Sequence, residues 1–288
     1  MILWVLLGVG YSFPEFYHST GSINSILSQV PCVEKLGSSV DAFYWSSPAT
    51  MRTFLLFGEH PRELISAEIG LAFLSQICNS ALPSSILAVV NANPKGRQLV
   101  EAGDYCRRTN SAGVDINRNW DYHWKSQEVF SETYSGSFPF SETETLEIKQ
   151  LLENYSPHLF ISVHSGRVGL YTPYAFSKQE PLNKELLEVM QTINEKYCLC
   201  TVGPAAKKLH YESYGNCLDY AYDVAKVPFA FAWEVFEDSN LSFLQSSAQQ
   251  CLGFFNPTEE QLYQETIDKW VLSIKETIDI VRTKLNKS

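Results

Sequence analysis

His60 and Glu63 stand three residues apart in Gly58-Glu59-His60-Pro61-Arg62-Glu63, where an apolar run gives way to a helical pattern. One turn of chain at such a junction can aim an imidazole and a carboxylate at a single point. Two His and one carboxylate are a common zinc ligand set in hydrolases, which keep a fourth position for water. His164, directly after the apolar run Leu159-Phe160-Ile161-Ser162-Val163, can complete the set. The pair alone is a weak signal, because a Glu at a helix start is a frequent dipole partner and His is a frequent loop residue. Glu234 adds weight. It lies in Pro228-Phe229-Ala230-Phe231-Ala232-Trp233-Glu234-Val235-Phe236, and a carboxylate in so apolar a run needs a partner or a task. A strand-end salt bridge is one answer. The other is general base and acid, taking a proton from water whose pKa a metal lowers to about 7 and passing it to a leaving amine.

Asp115-Ile116-Asn117-Arg118-Asn119-Trp120 places a guanidinium beside an amide, the combination that grips a carboxylate through two hydrogen bonds. A solvated loop with a surface Arg is the plain alternative. Arg107 and Arg108 come shortly before this segment. A cation there can polarise a carbonyl and stabilise a tetrahedral oxyanion, and one of the two can be merely exposed.

These residues need elements to position them. Thr53 to Phe57 reads as a buried strand, Gly58 as its turn, and Glu63 to Cys78 as a helix with Leu64, Ala67, Leu71 and Leu74 on one face. Ser85 to Asn91 is a second strand, which the turn signal Asn93-Pro94-Lys95-Gly96 ends. Leu159 to Val163 and Phe229 to Val235 are two more. Helices fit Glu142 to Asn154, Pro181 to Tyr197 and Thr258 to Lys284, the last with Tyr263, Ile267, Trp270, Ile274, Ile278 and Val281 on one face. Strands alternating with helices imply an α/β sheet covered on both sides, and ligands of such sheets gather beyond the carboxyl ends of the strands. His60, Glu63, Asn91, His164 and Glu234 all fall near those ends.

A chain of 288 residues with 45% hydrophobic content can bury a substantial core as one domain. With 22 Lys and Arg against 32 Asp and Glu, the net charge of −10 argues against nucleic acid as a partner. The apolar opening, Met1 to Gly10, is too short to span a membrane, which takes roughly 20 residues. Small residues at Gly10 and Ser12 place a signal-peptidase cut before Phe13, giving a signal peptide over 1–12 and a catalytic domain over 13–288; a buried first strand is the alternative. Seven cysteines fit an oxidising compartment, with at least one thiol unpaired, and fit small buried side chains nearly as well. Cys198 and Cys200 lack metal-knuckle spacing. The sequons at Asn154, Asn240 and Asn286 permit glycosylation in a secreted chain.

From about Phe16 onward the pattern resembles the M14 metallocarboxypeptidase family, relatives of carboxypeptidase A. The motifs stand in family order: His60-x-x-Glu63, Arg108 before Gly113-Val114-Asp115-Ile116-Asn117-Arg118-Asn119-Trp120, His164-Ser165, and Phe231-Ala232-Trp233-Glu234. The resemblance implies an eight-stranded mixed, twisted sheet with helices on both faces, a single zinc ion per chain and a monomer. It implies His60, Glu63 and His164 as metal ligands, Glu234 as general base and Arg108 as the group polarising the scissile carbonyl. By the same resemblance, Asn117 and Arg118 clamp the terminal carboxylate and Arg62 serves an outer subsite. Tyr211 closes over the bound C-terminus, with Tyr214 as its rival.

Leu218 corresponds to the floor of the pocket for the departing side chain. An acidic residue there would favour Lys or Arg, whereas a leucine favours hydrophobic or aromatic C-terminal residues. The expected activity is hydrolysis of the C-terminal bond of peptides and proteins. Asp219-Tyr220-Ala221-Tyr222-Asp223-Val224 and Phe255-Asn256-Pro257 resemble a secreted branch found in plants and protists, which implies a secreted, vacuolar or lysosomal setting. No room is expected for the long propeptide of pancreatic-type members. The rival readings are a zinc amidase acting on a non-protein amide and a binding module that keeps the pocket without turnover.

Overall fold

The computed structural model describes residues 13–241 and 247–287; the leader expected over 1–12 lies outside them. The strands are β1 (Val33–Lys35), β2 (Asp41–Trp45), β3 (Arg52–Phe57), β4 (Ser85–Asn91), β5 (Leu159–His164), β6 (Arg167–Thr172), β7 (Thr201–Pro204) and β8 (Phe229–Phe236). They form an eight-stranded sheet in the order β1-β2-β4-β3-β5-β8-β6-β7. The central four, β4, β3, β5 and β8, run parallel, and antiparallel strands flank them on both sides. The mixed α/β sheet expected from the sequence is therefore present.

Side chains alternate across a strand, so each central strand feeds two cores. Leu55 and Phe57 of β3, Ile161 and Val163 of β5, and Phe231 and Trp233 of β8 enter one cluster. Phe54 and Leu56, Phe160, and Ala230 enter the other. Helix α1 (Thr20–Ser28) precedes β1, α2 (Leu64–Ser75) follows β3, α3 (Pro94–Glu101) follows β4, and α4 (Thr143–Tyr155) precedes β5. Next come α5 (Glu185–Ile193), α6 (Ala205–Leu209), α7 (Cys217–Asp223), α8 (Ala248–Phe255) and the long α9 (Glu260–Leu285). Residues of α2, α5 and α9 pack in the first cluster, and residues of α4 and α7 in the second. Helix α9 buries the face read from the sequence, Tyr263 through Val281. Among the described residues, no helix is long and apolar enough to cross a membrane.

Three local readings are corrected. Asn93-Pro94-Lys95-Gly96 opens a helix instead of a turn: the Asn93 side chain accepts from Gly96 N, and proline occupies the first turn of α3, where its missing N–H costs nothing. Helix α2 is buried on nearly every side, because α9 covers what would otherwise face water, so its apolar residues do not form a single stripe. The helix expected over Pro181–Tyr197 begins at Glu185 and ends in a wide π-type turn, Asn194–Cys198. Six cysteines are paired, as Cys32–Cys78, Cys106–Cys251 and Cys198–Cys200, and Cys217 is a buried free thiol. Asn154 is exposed at the end of α4, whereas the sequons at Asn240 and Asn286 each run into a residue outside the described chain.

Candidate active site

Strand β3 ends at Phe57, and Gly58, with φ of +69°, turns the chain outward. Glu63 caps α2, and its N–H bonds back to the carbonyl of His60 at 3.0 Å, the tight turn needed to superpose the two side chains. His164 is the last residue of β5 and the register partner of Glu234 on β8. Parallel pairing of β3 with β5 and of β5 with β8 thus brings together residues far apart in the chain.

His60 Nδ1 lies 2.8 Å from Glu63 Oε1, His164 Nδ1 lies 3.1 Å from Glu63 Oε2, and the two Nδ1 atoms are 3.2 Å apart. All three residues are buried. These separations are close to the ~3.3 Å edges of a tetrahedron with ligand bonds of about 2.0–2.1 Å. Charge points the same way. Three buried carboxylates, Glu59, Glu63 and Asp115, surround the two imidazoles, and Arg108 pairs with Asp115 through Nε at 2.8 Å. The remaining negative charge suits a cation, so the donor set fits a metal.

Asp115 also faces the far side of His60, with Oδ1 3.2 Å from Nε2, and accepts from Asn117 N. Burial opposes its ionisation, but Arg108 and His60 outweigh burial and hold its carboxyl well below the usual range. For Glu63, burial is likewise overcome by His60 and His164, so it stays ionised. Glu234 is the opposite case: burial, and then repulsion from Glu63, push its carboxyl up to about 8. Its Oε2 is buried and has no hydrogen-bond partner among the described residues.

A cavity opens beside this group, lined by His60, Arg108, Asn117, Arg118, His164, Tyr171, Tyr211, Leu218 and Glu234. Arg118 donates to the carbonyl of Asn117 at 2.7 Å. Arg108 also borders a second, open cleft with Arg107, Glu132 and Tyr134. Arg107 turns to Asp104 and to the carbonyl of Asn110, which separates the roles of the two adjacent arginines. Tyr211 is 48% exposed on the cavity rim, while Tyr214 bonds to Glu212 and lies under Lys125. Arg62, expected at an outer subsite, stands apart from this cavity. It is buried, its guanidinium stacks 4.3 Å from the Phe255 ring centroid, and it bonds to Glu132 and the carbonyl of Cys106. It braces a loop and does not line this cavity.

The sequence reading did not single out Glu59, Ser162 or the contact between Asp115 and His60. Alternation gives a signal for Ser162, two residues before His164 and on the same face of β5.

Fold and donor set together define a metal-binding α/β protein whose ligands border a cavity furnished with two arginines. The chain belongs to the zinc carboxypeptidase family, whose sequence profile matches residues 46–271. Zinc is the cofactor that membership implies, and His60, Glu63 and His164 are the residues that fit it. Among relatives, zinc carboxypeptidase A 1 of Anopheles gambiae is 28% identical over 258 residues, covering 80% of this chain and 58% of its own. A zinc carboxypeptidase of Simulium vittatum is 30% identical over 178 residues, 58% of this chain and 56% of its own. The chain spans about half the length of the curated relatives it matches. Bovine thrombin-activatable fibrinolysis inhibitor, solved with tick carboxypeptidase inhibitor, superposes with a TM-score of 0.79 at 21% identity, covering 93% of this chain and 98% of that one. At that identity the likeness speaks for the fold.

Proposed function

We propose that this chain is a zinc-dependent metallocarboxypeptidase that hydrolyses the C-terminal bond of peptides and proteins, with 13–288 as its catalytic domain. The observation that carries the reading is the convergence of His60, Glu63 and His164 beside Glu234, whose buried Oε2 has no hydrogen-bond partner among the described residues. Zinc bound there supplies Lewis acidity, which makes water a nucleophile at neutral pH and polarises a carbonyl.

Glu234 takes the proton from the attacking water and returns it to the departing amine, a role that its raised proton affinity favours. Arg108, fixed by Asp115, donates to the carbonyl oxygen as charge develops on it. Arg118 and Asn117 hold the terminal carboxylate, and Tyr211 swings from the rim to cover it. Leu218, buried at the cavity wall, selects hydrophobic or aromatic side chains. Arg62 holds in place the Cys106 loop that leads to Arg108. The three disulfides support a secreted or endomembrane-lumen setting, and the family resemblance supports a monomer.

The test is release of a free amino acid from blocked dipeptides ending in Phe, Lys or Glu, with and without a chelator. Turnover of the Phe substrate, abolished by chelation and restored by zinc, is expected. A preference for Lys would overturn the specificity alone, and no turnover by zinc-loaded protein on any of the three would overturn the activity.

A further inference from the structure

Glu59 precedes the first metal-binding histidine, is fully buried at 1% exposure, and has no task in the mechanism above. A buried carboxylate is costly unless hydrogen-bonded to groups that need it. Its Oε2 accepts from Ser162 Oγ at 2.7 Å, lies 3.2 Å from His164 Nε2, and meets the Cys217 thiol at 3.3 Å. The other oxygen, Oε1, is buried with no partner among the described residues. All the polar contacts thus gather on the oxygen that faces His164.

His164 turns Nδ1 toward His60 and Glu63 and Nε2 toward this cluster. A neutral imidazole that gives its Nδ1 lone pair to a metal carries its proton on Nε2 and needs an acceptor there. Asn117 cannot be that acceptor. Its Oδ1 is engaged by Cys217 N–H at 2.9 Å, so it presents its amide nitrogen to Nε2 at 3.3 Å. Ser162 Oγ, 2.8 Å from Nε2, has given its own hydrogen to Glu59 and is free to accept. The hydrogen bonds therefore run from His164 to Ser162 to Glu59, with the direct contact in parallel. On the other side of the centre, Asp115 backs His60 Nε2 in the same way.

We propose that Glu59, acting directly and through Ser162, is the positioning carboxylate for His164, so that each metal-binding histidine is backed by its own buried acid. The inference rests on the zinc reading above. Outer carboxylates of this kind fix ring orientation and raise ligand basicity, and their loss typically weakens metal binding by about 10–100-fold.

Zinc dissociation constants of wild type, Glu59→Gln, Glu59→Ala and Asp115→Asn would be measured by competition with a chromogenic chelator, beside melts of the metal-free proteins. Each variant is expected to bind zinc about 10–100-fold more weakly, with Glu59→Ala the weaker of the two Glu59 variants. Cobalt-loaded Glu59→Gln should show a shifted visible spectrum. A folded Glu59 variant with wild-type zinc affinity, or one altered only in melting temperature, overturns the proposal. Because Glu59 variants could fail to fold, histidine ¹⁵N spectra of zinc-loaded wild type provide a second arm: slowly exchanging Nε2 protons are expected on both His60 and His164. A rapidly exchanging or absent proton on His164 Nε2 contradicts it. Wild type that binds no zinc refutes the parent reading instead, so the two failures are distinguishable.

Discussion

Glu234 shows how one position links apolar packing to chemistry. In the metal-free protein, burial and then Glu63 raise its carboxyl to about 8, above the ordinary range of a Glu in an unfolded chain. Between about pH 4.5 and 8 the folded state therefore holds a proton that the unfolded chain has released, and stability falls as pH rises through that window. Melts of chelated protein should show this decline, and Glu234→Gln should flatten it; an equal slope in both proteins would remove Glu234 as its source. With zinc, the same variant should lose about 10²–10⁴-fold in kcat while keeping the metal. Leu218→Asp places a carboxylate in the cavity wall and should move kcat/KM toward Lys or Arg substrates by tenfold or more relative to Phe; an unchanged ratio would show that another residue sets specificity. His60, Glu63, His164 and Glu234 were legible in the sequence because their types are chemically unusual where they stand. Glu59 and the Asp115 contact were not, because a hydrogen bond between strand ends depends on register that no local pattern records.

At the scale of elements, the junction after β5 sets where His164 points. Gly166 has φ of +114°, and a Cβ there would lie 2.5 Å from the Phe255 ring. Gly166→Ala therefore combines backbone strain with overpacking and should cost about 1–3 kcal/mol, read as a lowered melting temperature of metal-free protein. A melting temperature equal to wild type would show that α8 yields easily. The parallel strands β3, β4, β5 and β8 were legible as continuous apolar runs because both of their faces are covered. Strands β1, β2, β6 and β7 were missed. They are short or mixed in polarity, as in Asp41-Ala42-Phe43-Tyr44-Trp45, and lie outward of the parallel strands, where tertiary pairing outweighs intrinsic preference.

Across the whole molecule, a buried charge cluster ties the N-terminal segment to three helices. Glu68 of α2 accepts from Arg97 of α3 at 2.9 Å, from Tyr263 of α9 at 2.9 Å, and from His18 N at 3.1 Å. Glu68→Ala leaves the Arg97 guanidinium buried without this partner and should destabilise by about 3–5 kcal/mol. Denaturant unfolding checks this, and a loss under 1 kcal/mol would mean that Glu101, also paired with Arg97 at 3.3 Å, carries the interaction. That Glu68 is the hub was invisible in the sequence, where it reads as one more polar position on a helix. The α/β character was more legible, because apolar runs alternate with helical patterns between Thr53 and Lys284. One zinc ion, held by His60, Glu63 and His164 beside Glu234, is the proposed source of carboxypeptidase activity in this fold. Titrating zinc into metal-free protein while following release of Phe from a blocked dipeptide tests it most directly. The rate should rise linearly and saturate at one equivalent, and Glu234→Gln should bind the same equivalent with almost no turnover. A rate independent of zinc, or a fully active Glu234→Gln, would contradict it.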